Sequence, residues 1–201
     1  MAILPKALQD VIESLGALPG VGPRTAERYA YFLLRHDRHS AHKIAESLQA
    51  LHEGIGYCQK TFALVPAGQE LSDLYTDPSR NKQQIAVVAE PFDIVAIEKT
   101  GQFEGTYHVL GGLISPIDGI GPEQLHISEL LSRIEEDDVQ EIILATNANV
   151  EGETTALYIQ KQLADKNLQI SRLAQGLAVG VDLEYADQIT LGRAFANRTL
   201  L

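Results

Sequence analysis

The sequence predicts a mixed α/β protein, an all-α head followed by a mostly parallel α/β body. Three observations carry that expectation. Up to residue 53, apolar residues recur at helical spacing; beyond residue 84, short apolar runs alternate with helical stretches. Between them lies a stretch that Pro66, Gly68 and Pro78 keep breaking. With 201 residues, 45% of them hydrophobic, the chain can bury the core of one or two domains.

The head begins with Leu4, Leu8, Val11, Ile12 and Leu15, which mark an amphipathic helix over residues 4–15. A turn at residues 18–23 separates it from a second helix over 24–34. Ile44, Leu48 and Leu51 share one side of a third helix over 42–51. Residues 54–80 read as an irregular connector or a small subdomain. The body opens at Ile85-Ala-Val-Val-Ala89, a continuous apolar run suited to a strand buried on both faces. A helix to residue 100, a strand near 107–110 and a Gly/Pro-rich loop over 111–122 follow. Next come a helix to 132, a strand over 141–145, a helix over 152–165 and a strand over 168–173. The expected divisions are 1–53, 54–80, 81–175 and a C-terminal arm, 176–201.

The net charge of −11 is distributed unevenly. Residues 1–60 carry seven Lys/Arg against six Asp/Glu and four of the six histidines, whereas residues 61–201 carry nine against twenty-one. A phosphate contact therefore belongs to the first segment. The acidic remainder repels DNA and suits a basic protein surface or a divalent cation. No apolar run reaches the roughly 18–20 residues needed to span a bilayer, and no charged-then-apolar leader opens the chain, so no membrane association and a cytoplasmic location are expected. A single cysteine, Cys58, rules out an intrachain disulfide.

Leu18-Pro-Gly-Val-Gly-Pro-Arg-Thr-Ala26 has the composition of a helix-hairpin-helix DNA-binding motif. Gly20 and Gly22 permit a tight turn and close backbone approach, and Pro23 suits a first helical turn. The helix start then offers N–H groups and a favourable dipole to a phosphate. Arg24 and Arg28, four residues apart, share a face and can contact successive phosphates without reading a base. Arg35, Arg38 and Lys43 widen the basic surface. Read without DNA, the same residues make an interhelical turn with solvated arginines. Gly119-Ile-Gly-Pro122 repeats the glycine spelling but precedes Glu123, which opposes a phosphate, so it reads as a structural loop.

In an open parallel sheet, ligands sit beyond the carboxyl ends of the strands. Acids stand at two of these ends: Glu90 and Asp93 after the first strand, Glu151 and Glu153 in Glu-Gly-Glu after another. Such oxygens are Mg²⁺ ligands by type, and the arrangement resembles a Toprim domain. The strand-end position falls on Ala89, with Glu90 one residue later. That offset turns the side chain to the other face and weakens a metal site.

Several segments resemble the RecR family of recombination mediators. They are residues 96–101, residues 107–123 (Tyr-His-Val-Leu-Gly-Gly-Leu-Ile-Ser-Pro-Ile-Asp-Gly-Ile-Gly-Pro-Glu), 143–147, 151–154, 172–180, 182–187 and 190–194, in that order. The resemblance implies a helix-hairpin-helix head, a small zinc finger, a Toprim domain and a C-terminal arm. It implies a homodimer or homotetramer ring that clamps single- and double-stranded DNA and loads a recombinase with RecO and RecF. By it, Arg24 and Arg28 contact DNA, while Glu151 and Glu153, with Glu90, form the face where RecO docks. The chain departs from the pattern at the connector. The family's finger uses four cysteines, and here only Cys58 remains, with Thr61 where the second belongs. One thiolate cannot build a tetrahedral site, so no zinc cofactor is expected. Cys58 is expected to be a buried remnant, and the connector to be held by apolar contacts among Phe62, Leu64, Val65, Leu71, Leu74 and Tyr75.

The leading expectation is thus a non-enzymatic DNA clamp and adaptor acting in recombinational repair. The alternatives are a Mg²⁺-dependent Toprim-type nuclease or primase-like enzyme, and a protein-interaction hub without DNA binding. No Ser/His/Asp or Cys/His signature points to other catalysis.

Overall fold

The computed structural model describes residues 4–198 and divides into two compact units, one up to Ile55 and one from Gly56. The first holds α1 (Lys6–Gly16), α2 (Pro23–Arg35) and α3 (Arg38–Glu53). The third helix starts earlier than the apolar spacing predicts because Asp37 caps it, its carboxylate accepting from the Ser40 N–H at 2.8 Å. Ala26 and Ala30, on the α1-facing side of α2, are the buried residues of these helices. Leu8, Val11, Leu15, Leu34, Ile44 and Leu48 instead line an open apolar groove of about 540 Å³.

The second unit begins within β1 (Ile55–Tyr57), which pairs with β2 (Leu64–Pro66), and a short α4 (Asp73–Thr76) follows. The connector thus contains a two-stranded pairing and one helical turn. The sheet after it orders β4 (Gly105–Val109), β3 (Asn81–Val88), β5 (Glu141–Leu144) and β6 (Gln169–Arg172), all parallel. It is completed by α5 (Pro91–Glu98), α6 (Ile127–Glu136) and α7 (Val150–Gln162). Strand β3 starts four residues before its apolar run. Its polar beginning is paired, with Gln84 opposite Glu141 and their side chains 2.6 Å apart.

Alternation along β3 divides the core. Ile85 and Val87 point to one face, where Leu130, Ile134, Ile142, Leu144 and Ile159 cover them. Ala86 and Val88 point to the other, packed with Tyr107, Val109, Ile94 and the connector residues Cys58, Ala63 and Val65. Phe62, Leu71 and Leu74 join that second cluster, whereas Leu64 is exposed. The connector is thus held mainly by the sheet it covers, not by contacts within itself as the sequence suggested. At the sheet edge, the Val109 N–H donates to the Thr61 carbonyl at 2.8 Å.

Past β6 the chain runs to α8 (Gln188–Ala196), capped by Asp187. The arm exposes Val179, Leu183, Tyr185, Ile189 and Phe195.

Candidate nucleic-acid interface and the acidic sheet end

The hairpin of the first unit turns at Gly20, whose φ of +79° is a left-handed conformation that favours glycine. The Val21 N–H closes the turn on the Leu18 carbonyl at 3.1 Å. Gly22 caps α2 in extended conformation, and a Cβ built there would meet nothing within 4 Å. Folding does not demand glycine at 22. Its missing side chain leaves the first turn of α2 open, with Pro23 at N1 and exposed Arg24 after it.

Arg24, Arg28 and Arg35 lie on one stripe of α2, since 100° per residue brings positions 0, 4 and 11 within about 40° of each other. Tyr31 shares the stripe, with the Arg35 guanidinium 5.8 Å from its ring centroid. All three arginines are exposed, and none is in an ion pair among the described residues. Arg38 and Lys43 are likewise exposed and unpaired, but they stand about 140° apart around α3 and do not extend one stripe.

Gly119-Ile-Gly-Pro122 has a different setting. The Ser115 and Ile120 backbones bridge across its turn, and Pro122 opens a 3₁₀ turn carrying Glu123.

At the carboxyl ends of the sheet, Ala89 is buried and Glu90 is exposed one residue later. The Asp93 carboxylate accepts from the Glu90 N–H at 2.8 Å, capping α5. Glu151 and Glu153 sit in the first turn of α7, where acids complement the helix dipole. Gly152 between them is fixed by space, because a Cβ there would lie 2.0 Å from the Asn147 carbonyl oxygen.

The two glutamates have different surroundings. Glu151 is half-buried, and its carboxylate has no partner among the described residues. Glu153 binds Arg172 at 2.6 Å, Arg193 at 3.2 Å and the Gln175 amide at 3.1 Å. The hydrogen bond from Arg172, then that from Gln175, holds its carboxyl down at about 2. Glu153 therefore ties β6 and the C-terminal arm to α7. Among the described residues, no three His, Cys, Asp or Glu come together in a way that could hold a metal ion.

Comparison with known proteins places this geometry. Residues 8–52 match the model "RecR, helix-hairpin-helix", residues 83–174 match "Toprim domain", and residues 176–199 match "RecR, C-terminal". The proteins named recombination protein RecR from Frankia casuarinae and Streptomyces avermitilis are each 47% identical over 96% of both chains. That of Thermobifida fusca is 47% identical over 97% of both. The chain belongs to the RecR family.

Sequence reasoning missed the polar residues that hold the family's Toprim domain together here. Arg133 is 2% exposed, and its Nε donates to Asp137 at 2.9 Å while Nη2 donates to the Thr106 hydroxyl at 2.7 Å. Arg80 makes a two-pronged pair with Glu98, which also accepts from the Tyr107 hydroxyl. His108 Nε2 donates to the His126 carbonyl at 2.7 Å, and burial pushes the imidazole pKa down to about 4. None of these follows a motif spacing. Only the i,i+4 step from Arg133 to Asp137 was open to a sequence reader. No helix among the described residues is long and apolar enough to cross a membrane.

Proposed function

We propose that the protein is a DNA-binding recombination mediator in recombinational repair, a non-enzymatic clamp that recruits partner proteins. One observation carries this reading: the arginine stripe of α2 is exposed and in no ion pair among the described residues, beside an open helix start. In an acidic chain, such unspent cations are a specific provision for an anion. Backbone N–H groups and guanidinium groups together suit successive phosphates, with no base readout. The 47% identity to proteins named recombination protein RecR supports the repair role.

Recruitment belongs to the acidic sheet end. Glu90 and Glu151 present carboxylates to a basic surface such as that of RecO, with RecF a further partner. Glu153 shapes this face through its arginine pairs more than it offers charge. A homodimer or homotetramer ring fits the apolar groove of the head and the exposed apolar side chains of the arm. Several weak hairpins would then add on one DNA.

The test is incubation of the pure protein with labelled single- and double-stranded DNA, with and without Mg²⁺. Salt-sensitive mobility shifts and intact DNA are expected. Cleavage abolished by Glu151→Gln would overturn the reading in favour of a Toprim-type enzyme, and no shift at low salt would leave only an interaction hub.

A further inference from the structure

The connector is where this chain departs from its family's four-cysteine zinc finger, and its donors do not fit zinc. Cys58 is the single cysteine, and hydroxyl and phenol side chains are not among the Cys, His and carboxylate ligands that zinc takes in proteins. The structure nevertheless shows two segments with the two-residue gap of paired zinc ligands, Cys58-Gln-Lys-Thr61 and Ser72-Asp-Leu-Tyr75. They converge. The Ser72 N–H donates to Cys58 Sγ at 3.2 Å, the Thr61 N–H donates to the same sulfur at 3.4 Å, and the Thr61 and Ser72 hydroxyls meet at 3.4 Å. Cys58, Thr61, Ser72 and Tyr75 are 0%, 1%, 5% and 8% exposed.

We propose that residues 58–75 form a metal-free version of the finger. Cys58, Thr61, Ser72 and Tyr75 stand at the four ligand corners, and hydrogen bonds and docking to the body replace the zinc–thiolate bonds.

A structural zinc in an isolated finger supplies most of its folding free energy. The connector is not isolated. Its fourth corner reaches outward: the Tyr75 hydroxyl donates to Asp137 at 2.9 Å, and the ring lies 5.1 Å from the Arg133 guanidinium and 4.4 Å from the Lys82 ammonium. Phe62 stacks on His126 at 3.7 Å between centroids, and Lys60 pairs with Glu136. Ala63 and Val65 are buried against the sheet. At the first corner, burial pushes the Cys58 thiol up, but the bonds from Thr61, Ser72 and Lys60 outweigh it and hold it below its usual value. A sulfur accepting several N–H groups keeps the turn closed without a metal.

The test measures bound metal in the full-length protein and then rebuilds the missing ligands. The wild-type chain should carry no stoichiometric zinc and melt at the same temperature with or without a chelator. Thr61→Val should lower the melting temperature by about 2–6 °C, equally in both conditions. The triple variant Thr61→Cys/Ser72→Cys/Tyr75→Cys loses the Tyr75 dock, yet should bind one Co²⁺ per chain with the absorption of a tetrahedral thiolate site. Three results would each overturn the inference: one zinc per wild-type chain with chelator-sensitive melting, an unchanged melting temperature for Thr61→Val, or a triple variant that takes no tetrahedral Co²⁺.

Discussion

The arginines of the head and most of those of the body have opposite surroundings. Among the described residues, Arg24, Arg28, Arg35 and Arg38 are exposed without a carboxylate, whereas Arg80, Arg133, Arg172 and Arg193 each hold one; Arg198, exposed near the end of the arm, is the exception in the body. A guanidinium inside a folded body is costly unless it is paired and hydrogen-bonded, so these four take acids from α5, from the C-cap of α6 and from α7. The head buries little besides Ala26 and Ala30, which leaves its arginines hydrated and available. The same residue type is a structural clasp in one region and an exposed cation without a clasp in the other. The difference lies in burial and partner, not in sequence spacing.

That contrast can be broken by exchanging the readouts. Arg133→Met should have the largest effect on stability. It leaves the half-buried Asp137 carboxylate without its cation and removes the hydrogen bonds to Thr106 and Tyr107, a loss of about 3–5 kcal/mol. Urea unfolding would show it, and DNA affinity per folded molecule should not change. A variant as stable as the parent would mean that the clasp is not structural.

Arg24→Ala/Arg28→Ala should do the reverse. The melting temperature should stay within about 1–2 °C of the parent, because surface substitutions change stability little. DNA affinity should fall by roughly 100-fold at low salt, and the slope of log K against log salt should decrease by about 2. Titrations of labelled DNA at several salt concentrations give both numbers. An unchanged slope would remove these arginines from the phosphate interface.

Acid should then loosen the body in two windows. The folded His108 pKa, near 4, lies below its ordinary 6.5, so the unfolded chain takes up its proton first. Stability present above pH 6.5 is therefore lost as pH falls toward 4. Glu153 is depressed from 4.5 to about 2, so the stability it adds is present above pH 4.5 and is lost as pH falls toward 2. The second loss is the smaller, since Glu153 and its arginines are partly solvated. Denaturant midpoints measured against pH should lose the upper slope in His108→Gln and the lower one in Glu153→Gln. Equal slopes in parent and variants would show that other groups control the acid response.

The order of helices and strands was legible because Leu8, Val11 and Leu15 keep a helical period while residues 85–89 run apolar without a gap. Element boundaries were less legible where side chains rather than apolar spacing set them, as Asp37 does for α3 and the Gln84–Glu141 pairing does for β3. In the candidate site, glycines and arginines at the hairpin identified themselves by local chemistry. The four acids could be found by strand-end position, but not sorted. Among the described residues, Glu153 turns out to be held by two arginines and Glu151 by none, a distinction made by residues 19 to 40 positions further along the chain.

By itself the sequence determined the class of fold, the basic hairpin and the lack of cysteine ligands, because periodicity, turn chemistry and ligand type are local properties. Tertiary structure alone decided which charges are free, which are clasped, and how a finger with one cysteine stays closed. Those outcomes depend on distance and burial between segments far apart in the chain, such as Tyr75 with Asp137 and Thr61 with Val109. Spacing along the sequence carries no record of such meetings, which arise only once the sheet has formed and the connector has covered its open face.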